Sequence, residues 1–269
     1  MKRREFLTTS LAASTLVGLS CSTGKEEVHH EDKSGKKQEY YELRAYRLKV
    51  GASTELIDGF LEKAAIPALN RLGIRPVGVF KEIEPSKEVQ SVFVLIPYAS
   101  LEVYAHASVR VNADPEYQQA GAAYLQTPKS KAAYERIDSW LMRAFAGQPR
   151  IALPPYSVAK QSRLFELRTY QSHSESKALK KVEMFNSGEI ETMHEVGLAP
   201  IFYGQALIGP NLPHLTYMTS GPDQKAHQGH WDAFGKHPTW VRLKDDPQYA
   251  DTVSKIDKWF LAPAAYSQI

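Results

Sequence analysis

The chain has a single cysteine, Cys21, among 269 residues. A disulfide framework is therefore excluded, and so is thiol catalysis by the globular part that follows. Charge of one sign is also scarce. Lys and Arg number 33 against 30 Asp and Glu, and most of the small surplus sits in Lys2, Arg3 and Arg4 at the extreme N-terminus. Beyond that segment the chain is near neutral, which argues against nucleic acid as the main partner, because such binding needs a surplus of cations to displace counterions from phosphates. No long hydrophobic run is present. The weakly apolar stretch ending near Leu19 is diluted by Thr and Ser and is too short to span a bilayer. Nucleotide fingerprints are missing too. Gly204 and Gly209 have the spacing of a phosphate loop but lack its Lys-Ser/Thr pair and run into Pro210, and no nucleophile elbow occurs.

What is present begins with a targeting pattern. Arg3-Arg4-Glu5-Phe6-Leu7 resembles a twin-arginine export signal, with Thr8 where that signal often carries Lys. Cys21 directly follows the apolar stretch, the place of a lipoprotein anchor cysteine, although Gly18 stands where a lipobox usually has Leu. We therefore expect residues 1–21 to be a signal peptide with lipidation at Cys21, periplasmic localisation, and membrane attachment only through that anchor. Residues 22–39, rich in Lys, Glu, Ser and Gly, read as a disordered tether.

The remainder is a duplication. Tyr41-Glu42-Leu43-Arg44-Ala45-Tyr46 and Phe165-Glu166-Leu167-Arg168-Thr169-Tyr170 share four of six residues. The same spacing pairs Ile66 with Ile190, Gly73 with Gly197 and Pro76 with Pro200, sets Val92-Phe93-Val94 against Thr216-Tyr217-Met218, and puts His106 opposite His230. Each half reads as strand, helix, two strands, helical segments and a last strand, a ferredoxin-like βαββαβ unit. The first unit spans 40–145, a proline-bearing linker 146–162, and the second unit 163–269. The run from Val92 to Ile96 is apolar at odd and even positions alike, so both faces of that strand must be covered. A lone unit covers one face. The expected fold is thus α+β, with the two units packed sheet to sheet as a barrel-type pseudo-dimer in one chain.

Glu-Leu-Arg-x-Tyr at the start of each half, the segment Gly73 to Phe80, and above all Tyr203 to Met218 resemble the NIPSNAP family over about 40–269. That resemblance implies a dimeric α/β barrel, usually built from two chains and here from one. It implies no settled activity, since relatives of the barrel include cofactor-free oxygenases, isomerases and haem enzymes.

Several side chains are candidates for a site. On a strand, Glu42, Arg44 and Tyr46 share one face, as do Glu166, Arg168 and Tyr170. Placing Leu43 and Ala45 on the helices turns both trios into the barrel lumen, where two guanidiniums would hold an anionic ligand lined by Tyr203 and Trp231. His227, His230, Trp231 and Phe234 form one stripe of the expected helix, with His230 the candidate for proton transfer. His194, His237 and Trp240 lie nearby without a recognisable metal-ligand spacing, and no metal or cofactor is expected. The leading reading is a protein that binds a small, partly apolar anionic ligand in the lumen, as a monomeric pseudo-dimer or a homodimer. A cofactor-free oxygenase or isomerase is the alternative enzyme reading, and a surface interaction module without a pocket is the third.

Overall fold

The computed structural model describes residues 37–85 and 88–269. The expected signal peptide with Cys21, and nearly all of the expected tether, lie outside the described residues. Gln38 and Glu39, expected in the tether, belong instead to the folded part: Gln38 donates to the Ala144 carbonyl, Glu39 N–H to the Pro149 carbonyl at 2.9 Å, and Ile151 N–H to the Glu39 carboxylate at 3.0 Å.

Eight strands close one barrel: β1 (Tyr40–Lys49), β2 (Gly78–Glu82), β3 (Val89–Tyr98), β4 (Arg136–Ala144), β5 (Leu164–Gln171), β6 (Phe202–Ile208), β7 (His214–Gly221) and β8 (Lys255–Pro263). Their order around it is β1-β3-β2-β8-β5-β7-β6-β4, antiparallel throughout. Each half thus contributes a four-stranded sheet of ferredoxin-like order. The halves join where β2 pairs with β8 and β4 with β6, which leaves neither sheet an open edge. The C-terminus reinforces one seam: Gln268 N–H bonds the Val77 carbonyl at 3.0 Å, and Ile269 is fully buried in the lumen cluster.

The first crossover helix, 55–71, carries a widened turn at Leu61–Ala65. Across that turn the buried stripe runs through Ile57, Phe60, Leu61, Ala64 and Ala68. Gly73 ends the helix with φ +77, Ile74 N–H reaching back to the Leu69 carbonyl, and Gly197 ends the matching helix with φ +85. The matching helix, 175–195, breaks at Gly188 (φ +125), where an added Cβ would meet Thr239 Cγ2 at 2.9 Å.

Val92 to Ile96 are all buried, as their two-sided apolar pattern required. The faces, however, are the reverse of the expectation. Tyr41, Leu43, Ala45, Phe80, Phe93, Leu95, Phe165, Leu167 and Met218 form the cluster inside the barrel. An eight-stranded barrel has room for such side chains and little else, so large apolar residues fill it. Glu42, Arg44, Tyr46, Glu166, Arg168 and Tyr170 therefore point outward, to the helices. The lumen is not the ligand site, and the two arginines, on the outer faces of different sheets, do not converge on one anion.

Pairing also corrects the internal alignment. Tyr46 lies opposite Val92 and Tyr170 opposite Leu215, so Val92 corresponds to Leu215 rather than Thr216. The following helices, Leu101–Asn112 and Gln224–Lys236, start from Ser100 and Asp223, whose side chains cap Val103 N–H and Ala226 N–H. Counted from these caps, Tyr104 corresponds to His227 and Ser108 to Trp231, while His230 faces the position of Ala107 and not His106.

Candidate functional site

In the first half the outward side of the sheet and its helices enclose a cavity of about 520 Å³. Leu61, Ala65, Ile66 and Leu69 wall it from helix 55–71, Val94, Ile96 and Tyr98 from β3, and Tyr117 and Tyr124 from the short helical turns after Asn112. Ser108 and the 70%-exposed Val109 mark its mouth. Phe60 and Tyr124 stack at 3.9 Å, which fixes one aromatic wall. The volume lies within the range of small-molecule sites, roughly 300–1,000 Å³.

Arg44 is the charged group on this wall. Its Nε and Nη2 donate to the two oxygens of Glu42 at 2.7 and 2.9 Å. Glu42 also accepts from Tyr98 Oη and Ser139 Oγ, each at 2.9 Å. Burial alone would raise the Glu42 carboxyl, but the Arg44 pair and the two hydroxyls outweigh it and hold the group below its usual range. A carboxylate so held is a poor proton acceptor. Arg44 keeps 34% of its side chain exposed, enough to meet a ligand with the guanidinium edge outside the Glu42 pair. Burial pushes up the hydroxyls of Tyr46, Tyr98, Tyr117 and Tyr124, with neighbouring charges adjusting each, so the cavity's phenols stay protonated at neutral pH.

The lowered Glu42 pKa has a consequence for stability. Its contribution is present above the unfolded carboxyl value of about 4.3 and is lost as pH falls through the lower folded value. Denaturant titrations from pH 7 to 3 are expected to show a smaller acid loss in Glu42→Gln than in the parent. Equal slopes would mean that the pair contributes no linkage.

The same place in the second half is filled. Opposite the arginines, Arg44 pairs with Val94 but Arg168 with Tyr217. Val79 beside Val94 corresponds to Tyr203 beside Tyr217, and Leu61 at the start of the widened turn corresponds to Phe185. Phe145, Phe185, Tyr203 and Tyr217 pack as one aromatic cluster with centroids 5.2–5.7 Å apart. Tyr203 is completely buried and donates to Met193 Sδ, so it lines no opening. Tyr170 likewise bonds Tyr217 Oη at 2.9 Å within the core.

Glu166, Arg168, Tyr170 and Trp231 do come together, joined by a residue not singled out from the stripe. His227 Nε2 lies 2.9 Å from Glu166 Oε2, and Trp231 Nε1 donates to the same oxygen at 2.6 Å. Burial would raise the Glu166 carboxyl, but His227, Arg168 and Trp231 hold it down. His230 does not join them. Three residues on from His227, it turns toward the Gly197 bend, where an added Cβ would touch its Nε2 at 3.2 Å. His194 bonds Gln148 on the linker. Among the described residues no group of three or more His, Cys, Asp or Glu could hold a metal, and no helix is long and apolar enough to cross a membrane.

Sequence reading missed Tyr98, Tyr117, Tyr124, Ser108 and Ser139. One signal was available: from the last residue of β3 to the start of β4 the first half carries Tyr98, Tyr104, Tyr117, Tyr124 and Tyr134, whereas the second has Tyr249 alone in the corresponding stretch. An outward polar trio on each sheet and a helix-covered cavity over one of them define a fused dimeric α/β-barrel protein. The family model for NIPSNAP matches residues 41–145 and 165–268, and the chain belongs to the NIPSNAP family.

Among solved structures, a candidate monooxygenase of Fusobacterium nucleatum is 8% identical with a TM-score of 0.56, over 84% of this chain and 92% of that one. A second candidate monooxygenase, from Lactobacillus acidophilus, is 10% identical with a TM-score of 0.53, over 84% and 94%. A NIPSNAP-like domain protein of Burkholderia xenovorans is 18% identical with a TM-score of 0.36, over 40% of this chain and 90% of that one. At these identities the likeness is one of fold. No curated protein matches the chain.

Proposed function

We propose that this protein binds a small, largely apolar molecule in the first-half cavity, with a hydrogen-bond-accepting oxygen of the ligand placed at Arg44. One observation carries the reading: an apolar cavity of about 520 Å³ with a single guanidinium on its wall stands open in one half, while aromatic side chains close its counterpart. Because Glu42 already balances Arg44, a carboxylate, a phenol or a carbonyl oxygen can serve, and the apolar walls supply most of the binding free energy. The cavity favours binding over base-catalysed turnover, since the Glu42 carboxylate behind Arg44 is held by four hydrogen bonds and neither a carboxylate nor a histidine is among the lining residues. Calorimetric titration of the full chain with 2-naphthoate is expected to show binding that Arg44→Gln weakens about tenfold, the scale of one charge-assisted hydrogen bond. Equal affinity in the variant would remove Arg44 from the site.

We also propose export by the twin-arginine route and lipidation at Cys21, from the pattern Arg3 to Leu7 and the position of that cysteine. Cys21→Ser is expected to move the protein from the membrane fraction to the soluble periplasm, with loss of the lipid mass. A variant that stays with the membrane would refute the anchor.

A further inference from the structure

The second half contains a guanidinium with one buried, unpaired N–H. Arg168 Nε is buried without a partner among the described residues. The carboxylate beside it, Glu166 Oε1, lies 3.9 Å from Nη1, an ion pair too long for a hydrogen bond. In the first half the equivalent arginine is held bidentately by Glu42. The difference has an identifiable cause, since Glu166 turns its Oε2 to His227 and Trp231, whose first-half counterparts are Tyr104 and Ser108. An arginine Nε–H buried without an acceptor is costly, so such a group in a native protein signals a partner.

Two aromatic side chains lie against Arg168. The Trp231 indole lies over the guanidinium, 4.4 Å from CZ to the ring centroid, with Tyr170 on a further side at 5.5 Å. Trp231 is only half-buried and projects from a surface helix, where its first-half counterpart Ser108 stands at an open mouth. A planar ring over an arginine whose Nε–H is unpaired satisfies half of what that group recognises. The missing half is a pair of anionic oxygens in plane.

We propose that the second half holds a further ligand site, for an aromatic carboxylate, which Trp231 closes. The ligand's ring takes the place of the indole over Arg168, against Phe234 and Tyr170, and its carboxylate accepts from the guanidinium edge. Trp231 must swing outward, giving up its bond to Glu166 and its edge contact with Phe234 at 5.5 Å, so the parent protein binds weakly here. The site is independent of the first-half cavity.

The test counts equivalents of 2-naphthoate bound to the full chain by calorimetry. Trp231→Ser, which installs the first-half residue, is expected to add one equivalent to the parent's stoichiometry, at an affinity at least about tenfold tighter than any second binding to the parent. Trp231→Ser/Arg168→Gln is expected to lose that added equivalent, and Trp231→Phe, which keeps a ring over Arg168, to gain none. An unchanged stoichiometry in Trp231→Ser, or an added equivalent that survives Arg168→Gln, overturns the proposal. Because only the increment is read, failure of the first-half cavity to bind the probe leaves this outcome intact. Should Trp231→Ser not fold, the indole N–H resonance of Trp231 in the parent decides: it must shift as millimolar 2-naphthoate is added, and a stationary resonance refutes the site.

Discussion

Ser108→Trp is expected to abolish binding of 2-naphthoate in the first half, weakening it at least about a hundredfold, with the thermal midpoint unchanged or raised. The argument is the comparison within the molecule itself. Trp231 occupies the position equivalent to Ser108, counted from the helix caps Ser100 and Asp223, and covers Arg168 at 4.4 Å. Transferring that indole to the mouth of the first cavity places a large apolar side chain where a ligand would enter, against Val109 and Val111. Filling an existing void adds dispersion contacts without forcing the core apart, so stability should not fall. Loss of about a hundredfold corresponds to roughly 2.7 kcal/mol, within what one buried aromatic excludes. Calorimetry with a parallel melting curve checks it. Undiminished binding in a folded Ser108→Trp protein would show that the ligand lies elsewhere.

Lys181→Met is expected to lower the stability at pH 7 by about 3–5 kcal/mol, the usual cost of stranding one member of a buried ion pair. Lys181 Nζ donates to Glu189 Oε2 at 2.8 Å, with the two side chains only 5% and 1% exposed. Phe185, Trp240 and Tyr170 surround the ammonium at 4.7, 5.3 and 5.7 Å. Burial already raises the Glu189 carboxyl, against the opposing pull of Lys181, and removing the lysine raises it further. A folded-state pKa above the unfolded value means that stability is retained in acid and declines as pH rises past the ordinary carboxyl value of about 4.3. The deficit of Lys181→Met should therefore widen from pH 4 to pH 7. Lys181→Met/Glu189→Leu should recover most of it, since apolar replacement of both partners removes the desolvation cost as well as the attraction. Urea titrations across that range distinguish the cases. A single variant within 1 kcal/mol of the parent would show the pair to be hydrated.

The duplication and the barrel were legible because they depend on spacing and on patterns that many residues share. Glu-Leu-Arg-x-Tyr occurring twice, glycines at 73 and 197, and a strand apolar on both faces all point to two sheets packed on each other. The inward and outward faces were not legible. Glu42, Arg44 and Tyr46 alternate with Leu43 and Ala45 in either orientation, and alternation fixes which residues share a side without saying which side is the lumen. What decides it is the size of the closed barrel, which accepts Phe80, Phe93, Phe165 and Leu167 and has no space left to solvate two guanidiniums.

The choice of His230 over His227 failed for a related reason. Both lie on one stripe of Gln224–Lys236, and only the tertiary contacts show that His227 meets Glu166 while His230 meets the Gly197 bend. Aligning the halves at one constant spacing compounded the error. The connection between the middle strands of the first half is one residue longer than in the second, since Val79 pairs with Val94 but Tyr203 with Tyr217, and strand pairing shows this where similarity does not.

By itself, then, the sequence determined the two-unit plan, the α+β class and the near-neutral charge of the main body, because each is a property of composition or periodicity along the chain, while its motifs carried the NIPSNAP resemblance. Only the tertiary structure decided that the lumen is filled by side chains, that the cavity belongs to the first half, and that Phe185, Tyr203 and Tyr217 fill the matching place in the second. Those outcomes depend on which side chains meet across strands and helices distant in sequence. There Val94 against Tyr217, or Ser108 against Trp231, separates an open volume from a filled one.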